Sequence, residues 1–302
     1  MTAAAVTSRA TEERHNSAPG IHAVSPREAL ARLHAGHLSS LDCLDAALPD
    51  LERAAARAAH SLRSGHKLAY AGAGSSGLMA LADCLELAGT YGIAPAQTPM
   101  LFAGGDAALH HMTGAVEDDP ALALADLDAA GLGPGDTVIC VSASGRTPYT
   151  LEIAQGAQAR GAQVIGLANV AGSALLSRAD IAIALETGPE VIAGSTRMAA
   201  GSAQKIALNL LSTLTGIRLG HVHDGLMVNL TADNGKLRAR AIAIVSAISG
   251  SDPARSEDAL GAAQGAVKPA ILIAAGADPA RAHALLEQTQ GHLAPALEAL
   301  HR

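Results

Sequence analysis

The feature that most constrains this chain is residues 67–77, KLAYAGAGSSG. A short apolar run leads into three glycines and two serines, and the helical pattern LMALADCLELA follows directly. Glycine has no Cβ, so this loop can turn tightly and bring its backbone close to a ligand. Ser75 and Ser76 then begin the helix, where unpaired backbone N–H groups and the positive end of the helix dipole favour a phosphate. The stretch therefore predicts a strand–loop–helix site for an anion.

A second loop rich in hydroxyl side chains follows another apolar run. Ser142, Ser144 and Thr147 come directly after residues 138–141, and two such loops can close on one phosphate. The glycines also match the G-x-G-x-x-G pattern of dinucleotide-binding folds, but such folds carry an acid about 20 residues further on to bind the ribose. Asp106 is the nearest candidate, and it lies past the end of the second predicted strand. We therefore favour a sugar phosphate over a dinucleotide.

Five short apolar segments alternate with mostly helical patterns. They are residues 67–71, 99–103, 137–142, 163–168 and 181–185. Segments that are apolar on both sides are typical of parallel strands covered by helices on both faces. The sequence therefore predicts an α/β fold, a doubly wound parallel five-stranded sheet flanked by helices. In such sheets ligands bind beyond the carboxyl ends of the strands, where both hydroxyl-rich loops lie.

Composition and periodicity divide the chain into three predicted domains. Residues 1–20 are polar and follow neither the helical nor the strand period, which indicates an N-terminal arm. Residues 21–250 form the main domain with its N-terminal helices. After Gly250-Ser251-Asp252-Pro253, short helical patterns fill residues 251–302, as in a small helical C-terminal domain.

Two helices are predicted before the first strand. Ser25 and Pro26 are typical of an N-cap and a first turn, and the helix that they begin is expected to end at Gly36. A longer helix is predicted over residues 40–64, where leucines and alanines share one face. Pro49 is expected to kink or break that helix. Further helices are predicted over residues 202–219 and 236–249.

Charge and composition argue against several classes of partner. The net charge is −7 and the basic residues are scattered, unlike the basic surface that binds nucleic acid or an anionic membrane. Aromatic residues make up only 1% of the chain, so stacking platforms for single-stranded nucleic acid are lacking. No uninterrupted apolar run reaches about 18 residues, and the N-terminus has no apolar signal core. We expect a cytoplasmic protein with neither nucleic acid nor a membrane as partner.

The cysteines and histidines favour neither a disulfide nor a metal. Cys43, Cys84 and Cys140 have no metal-ligand spacing, and buried thiols in a reducing compartment are the simpler interpretation. Among the 13 histidines, His110, His111, His221 and His223 have no acidic or cysteine partner at ligand spacing, and surface histidine is the simpler interpretation. We therefore expect no metal and no cofactor.

Seven stretches spread over nearly the whole chain carry more specific patterns. They are TEERHN (11–16), GAGSSG (72–77), LELAGTYG (85–92), AGGDAALHHMTGAVEDD (103–119), SASGRTPY (142–149), GPEVIAGSTRMAAGSAQK (188–205) and LMVNLTADNGKLRARA (226–241). Together they resemble the N-acetylmuramic acid 6-phosphate etherases, which are built on the sugar isomerase (SIS) domain. Glucokinase regulatory proteins, which bind sugar phosphates without catalysis, are related to that family.

The resemblance implies a carbon–oxygen lyase that converts N-acetylmuramic acid 6-phosphate to N-acetylglucosamine 6-phosphate and D-lactate. Two glutamates do this chemistry in the family, and their positions match Glu86 and Glu117 here. A base must take the acidic proton at C2, next to the open-chain aldehyde, and an acid must protonate the departing lactate oxygen. Water then adds to the unsaturated aldehyde. We assign Glu86 as the acid and Glu117 as the base.

The resemblance also implies the contacts with the sugar phosphate and the assembly. The expected contacts are Ser75, Ser76, Ser142, Ser144, Arg146, Thr147, Glu190, Ser195 and Thr196. Family members are dimers with sites near the interface, so a homodimer is expected. Ten residues of continuous helix would put Glu86 about 15 Å beyond Ser76. Either that helix is short, or Glu86 serves a site whose phosphate loops belong to another subunit.

The sequence departs from the family pattern at three places. Leu78 stands where arginine is usual, residues 87–90 replace Cys-Pro-Pro-Thr, and Ala199-Ala200 replaces Lys-Ala. A sugar-phosphate-binding regulator without catalysis and a phosphosugar isomerase therefore remain as alternatives. Retention of both glutamates favours the enzyme over the regulator. An isomerase would share the phosphate loops but not the stretches 115–119 and 188–197.

Overall fold

Five strands form one parallel sheet in the computed structural model, which describes residues 10–230 and 235–301. They are β1 Leu68–Gly72, β2 Met100–Phe102, β3 Thr137–Ser142, β4 Gln163–Ala168 and β5 Ile181–Ala184. Their order is β2-β1-β3-β4-β5, so β1 pairs with both β2 and β3 and the winding direction reverses there. The predicted doubly wound sheet is confirmed, and each predicted strand end is correct to within one residue.

Helices precede and connect these strands. They are α1 Pro26–Ser40, α2 Cys43–Arg63, α3 Gly74–Tyr91, α4 Gly105–His110, α5 Pro120–Ala130, α6 Pro148–Ala159, α7 Ala174–Arg178 and α8 Ala199–Arg218. Short 3-10 turns occur at Ala10–Glu12, Pro95–Gln97 and Gly114–Asp118.

The sheet is buried on both faces, because successive side chains of a strand point to opposite sides. On one face Val138 and Cys140 of β3 pack with Leu127 of α5 and Ile153 of α6. Helix α2 contacts β1, β3 and β5. Each fully buried aliphatic side chain contributes about 1.5–3 kcal/mol to folding. This double cover explains why the strands consist mainly of apolar residues.

The N-terminal helices differ from the prediction in two places. Ser25 is the expected N-cap, and its hydroxyl accepts the Glu28 N–H at 3.2 Å. Helix α1 nevertheless continues through Gly36 to Ser40, and a Cβ on Gly36 would lie 2.5 Å from Val191 Cγ2. Gly36 therefore serves close packing and does not end the helix. Pro49 does not break α2 either, because the buried face of that helix continues on both sides of it.

The described residues form two compact units, which are 10–84 with 96–212, and 85–95 with 213–230 and 235–301. The boundaries fall within α3, within the Pro95–Gln97 turn and within α8. The second unit also contains β6 Val222–His223, β7 Leu226–Met227, α9 Gly235–Ser249, α10 Pro253–Ala262, α11 Val267–Ala274, α12 Pro279–Gln288 and α13 Leu293–Leu300. Ile244 and Val245 of α9 share its core with Leu260 and Ile271. The boundary predicted near residue 250 therefore lies inside this unit.

All three cysteines are free thiols, and Cys84 and Cys140 are buried. Burial raises the pKa of Cys84 to about 11, and it raises the pKa of Cys140 as well. Both thiols therefore stay protonated and unreactive. Among the helices of the described residues, none has both the length and the apolar character needed to cross a membrane.

Candidate functional site

A cavity of about 300 Å³ lies where β1 and β3 end. Its lining in the described chain is Thr11, Glu12, Ala73, Gly74, Ser75, Ser76, Met112, Glu117, Ala143, Ser144, Thr147, Gly194 and Thr196. Residues 73–76 directly follow β1, and residues 143–147 follow β3. Since β1 is the strand at which the winding reverses, this is the position at which doubly wound sheets bind ligands.

The first wall of the cavity is the turn from β1 into α3. A Cβ on Gly77 would lie 2.9 Å from the Gly72 carbonyl oxygen, so the chain can fold back this tightly only with glycine. Helix α3 begins at Gly74, and Ser75 and Ser76 line the cavity within its first turn. The backbone N–H groups of a first turn have no partner inside the helix. This wall therefore offers N–H donors, hydroxyls and the positive end of a helix dipole to an anion.

The second wall is the loop after β3, which is shaped by its own side chains. Ser142 Oγ accepts the Gly145 N–H at 3.1 Å and lies 2.9 Å from Thr147 Oγ1. Ser144 Oγ accepts the Arg146 N–H at 3.2 Å. Ser142 is buried and does not line the cavity, whereas Ser144 and Thr147 do. Ser142 thus closes the turn that presents the other two hydroxyls.

One hydrogen bond joins the two walls. The Ser76 hydroxyl accepts the Ala143 N–H at 3.2 Å, although the two residues are far apart in sequence. A serine hydroxyl that accepts one hydrogen bond keeps its own proton for a further acceptor. Ser76 can therefore hold the loops together and still donate to a bound phosphate.

Glu117 brings a carboxylate to the start of helix α3. It lies in the Gly114–Asp118 turn, and its Oε1 is 2.6 Å from the point that a Cβ on Gly74 would occupy. Burial raises the pKa of Glu117, and the nearby charge of Asp118 raises it further. A half-buried carboxyl with a raised pKa beside an anion site has the character of an acid–base group.

Glu86 lies away from this lining, on the exposed surface of α3. Helix α3 runs without interruption from Gly74 to Tyr91, so Glu86 is about 15 Å along the axis from Ser76. The alternative that α3 is a short helix is therefore excluded. A site shared between subunits stays a prediction for Glu86.

The loop before α8 contains three predicted substrate contacts, and their surroundings differ from one another. Glu190 is 2% exposed, and its two carboxylate oxygens accept the N–H groups of Ala199 at 3.0 Å and Ala200 at 2.9 Å. It caps the first turn of α8 and does not line the cavity. In the same loop Thr196 lines the cavity, whereas Ser195 does not. Arg146, in the loop after β3, is exposed and does not line the cavity either.

The segment at residues 10–12 forms a third wall that the sequence did not predict. Thr11 is 2% exposed, and its carbonyl oxygen accepts the Gly194 N–H at 3.2 Å. This pairing carries Glu12 to the cavity, where Glu12 Oε2 lies 3.1 Å from the point that a Cβ on Gly194 would occupy. The lining of the described chain thus holds two carboxylates and neither lysine nor arginine.

Sequence relatives match most of the chain. N-acetylmuramic acid 6-phosphate etherase of Deinococcus radiodurans is 40% identical over 265 residues, which cover 88% of this chain and 87% of that protein. The enzyme of the same name in Streptomyces avermitilis is 43% identical over 248 residues, 82% of this chain and 80% of that protein. This chain belongs to the N-acetylmuramic acid 6-phosphate etherase family.

Two further comparisons agree with the fold of this etherase family member. The family model of the SIS domain matches residues 40–169, which contain both hydroxyl-rich loops and Glu117. A crystal structure from Bacteroides fragilis, assigned as a phosphosugar isomerase involved in capsule formation, superposes with a TM-score of 0.50 at 19% identity. The match covers 67% of this chain and 95% of that chain. At this identity the likeness concerns the fold alone.

Proposed function

We propose that this chain is an etherase that cleaves the D-lactyl ether of N-acetylmuramic acid 6-phosphate, giving N-acetylglucosamine 6-phosphate and D-lactate. The observation that carries the proposal is the place of Glu117, whose carboxylate lies against Gly74 in the cavity that Ser75, Ser76 and Ser144 line. In this proposal Glu117 is the acid–base group, and the three serines belong to the anion site. Membership of the etherase family supplies the identity of the substrate.

The substrate phosphate binds at the first turn of α3 in this proposal. Backbone N–H groups of the turn and the hydroxyls of Ser75, Ser76, Ser144 and Thr147 are its donors. Since neither lysine nor arginine lines the cavity in the described chain, fixed dipoles and hydroxyls take the place of a cation.

Glu117 is the base that removes the C2 proton of the open-chain sugar. The C2–H electron pair forms the C2–C3 double bond, the C3–O bond breaks, and the departing lactate oxygen takes a proton from the acid. Water then adds its oxygen to C3 and its proton to C2, so the atoms balance. A raised pKa brings the basicity of Glu117 closer to neutral pH, where a general base is most effective.

Glu86 is the proposed acid, and we propose that it acts in a homodimer. It is exposed on an unbroken helix about 15 Å beyond Ser76, so it does not reach the phosphate loops of its own chain along that helix. A general acid also needs surroundings less polar than water. Glu86 of the partner subunit would meet both requirements if α3 packs over the cavity of its neighbour.

The test is release of D-lactate and exchange of the C2 proton in deuterated water. Glu117→Gln should abolish exchange and turnover, whereas Glu86→Gln should stop lactate release and permit some exchange. Each lost proton-transfer group should cost about 10²–10⁴-fold in rate. Asp118→Asn removes a charge beside Glu117 and is the control that should keep turnover at neutral pH.

Three results would contradict parts of this proposal. Exchange that depends on Glu86 and survives in Glu117→Gln would reverse the two roles. Wild-type protein that binds N-acetylglucosamine 6-phosphate without exchange or lactate release would be a sugar-phosphate-binding regulator. Interconversion of aldose and ketose phosphates without lactate release would indicate an isomerase.

A further inference from the structure

Glu12 is a cavity carboxylate to which the proposed chemistry gives no role. Its position is fixed by the backbone around it, because the buried Thr11 pairs through its carbonyl oxygen with the Gly194 N–H. Glu12 itself is an exposed residue, so its side chain is accessible to a ligand that enters the cavity.

Gly194 leaves the space that the Glu12 carboxylate occupies. A Cβ at residue 194 would lie 3.1 Å from Glu12 Oε2 and 3.8 Å from Oε1, and the φ of +74° at Gly194 is one that glycine adopts readily. Thr196, two residues further on, lines the same cavity. Glu12 and the 194–196 loop thus form one wall, apart from the loops that follow β1 and β3.

The charge of Glu12 limits which part of a substrate can meet it. The substrate of the proposed function, on which this inference rests, has a phosphate at C6 and a carboxylate on its lactyl group. Its remaining hydrogen-bond donors, the acetamido N–H and the hydroxyls, are neutral. An ionised carboxylate accepts hydrogen bonds and donates none, and it repels other anions. The neutral donors are therefore the groups that Glu12 can bind.

We propose that Glu12 is a substrate-binding residue that accepts hydrogen bonds from the N–H and O–H groups of the sugar. Its negative charge also keeps the phosphate away from the Glu12 wall. With the phosphate bound by the N–H groups and hydroxyls at the start of α3, Glu12 then helps to set the orientation of the sugar in the cavity.

Two ligands separate this role from a merely structural one. N-acetylglucosamine 6-phosphate offers both donors and a phosphate, whereas inorganic phosphate offers the anion alone. Glu12→Gln should weaken calorimetric binding of the sugar phosphate about 10-fold, the lower range for a hydrogen bond to a charged group. The same variant should bind inorganic phosphate, measured by competition, as tightly as wild type or more tightly, because a negative charge has been removed.

Glu13→Gln is the matched control, since Glu13 is the next residue, is exposed and does not line the cavity. It should leave both affinities unchanged. Unchanged sugar-phosphate affinity in Glu12→Gln would overturn the proposal, as would an equal loss of affinity for both ligands. These readouts do not depend on turnover. If the wild-type protein releases no lactate, the proposed etherase activity is refuted. The affinities of Glu12→Gln for the two ligands would still test the role of Glu12.

Discussion

The contact between Glu117 and Gly74 can be tested by adding a single methyl group. In Gly74→Ala the new Cβ would lie 2.6 Å from Glu117 Oε1, whereas ordinary van der Waals contact begins at 3.4 Å. The carboxylate must therefore move by at least 0.8 Å, the difference between these two distances. A catalytic group displaced by about 1 Å can lose on the order of 10²-fold in rate. We expect kcat for lactate release to fall by about that factor.

Backbone strain must be separated from displacement of the carboxylate. Gly74 has a φ of +52°, so alanine there also costs roughly 1–2 kcal/mol of folding free energy. Gly172→Ala is the matched control, because Gly172 has a φ of +65° and no atom within 4 Å of the new Cβ. Both variants should melt at a lower temperature than wild type, but only Gly74→Ala should lose rate.

The reasoning is refuted if Gly74→Ala keeps the wild-type kcat while its melting temperature falls as far as that of Gly172→Ala. The position of Glu117 would then be unimportant for turnover, and its role as the base could not stand. A loss confined to affinity for N-acetylglucosamine 6-phosphate, with kcat unchanged, would assign the contact to phosphate binding instead.

Two further predictions concern the phosphate loop and the base. Ser144→Ala should weaken calorimetric binding of N-acetylglucosamine 6-phosphate by roughly 1–3 kcal/mol, as for a lost hydrogen bond to a charged group; unchanged affinity would remove this loop from the phosphate site. Asp118→Asn should move the acidic limb of the kcat/KM profile to lower pH, because Asp118 helps to raise the pKa of Glu117 and the base must be ionised. A shift to higher pH would show that another group controls that limb.

The sheet could be predicted from the sequence because its determinants are local. The strands consist mainly of apolar residues, and the N-cap at Ser25 needs only a neighbouring N–H group. The end of α1 could not be predicted in this way. From the sequence Gly36 predicts a helix stop, but its missing side chain makes room for Val191, which lies in a distant part of the sequence. Tertiary packing decides such a position, and local propensity does not.

In the candidate site, too, local sequence predicts some positions, and tertiary contacts decide others. Ser75, Ser76 and Ser144 could be located because ligands in parallel sheets bind at the carboxyl ends of the strands. Glu190 looked equally suitable for binding, but its oxygens are taken by N–H groups of α8. Glu12 was overlooked because a hydrogen bond between Thr11 and Gly194, not a local pattern, brings it to the cavity.

In the proposed mechanism, the arrangement around α3 bears on how the Glu117 carboxylate could take a proton from carbon. Burial raises the pKa of Glu117, and the charge of Asp118 raises it further. Any other negative charge brought close to Glu117 would also disfavour its ionised form and raise its pKa. A phosphate bound at the first turn of α3 would add to this effect, since Glu117 lies against Gly74 in the same turn. Substrate binding would thus move the pKa of the base further towards neutrality, where general-base catalysis is most effective.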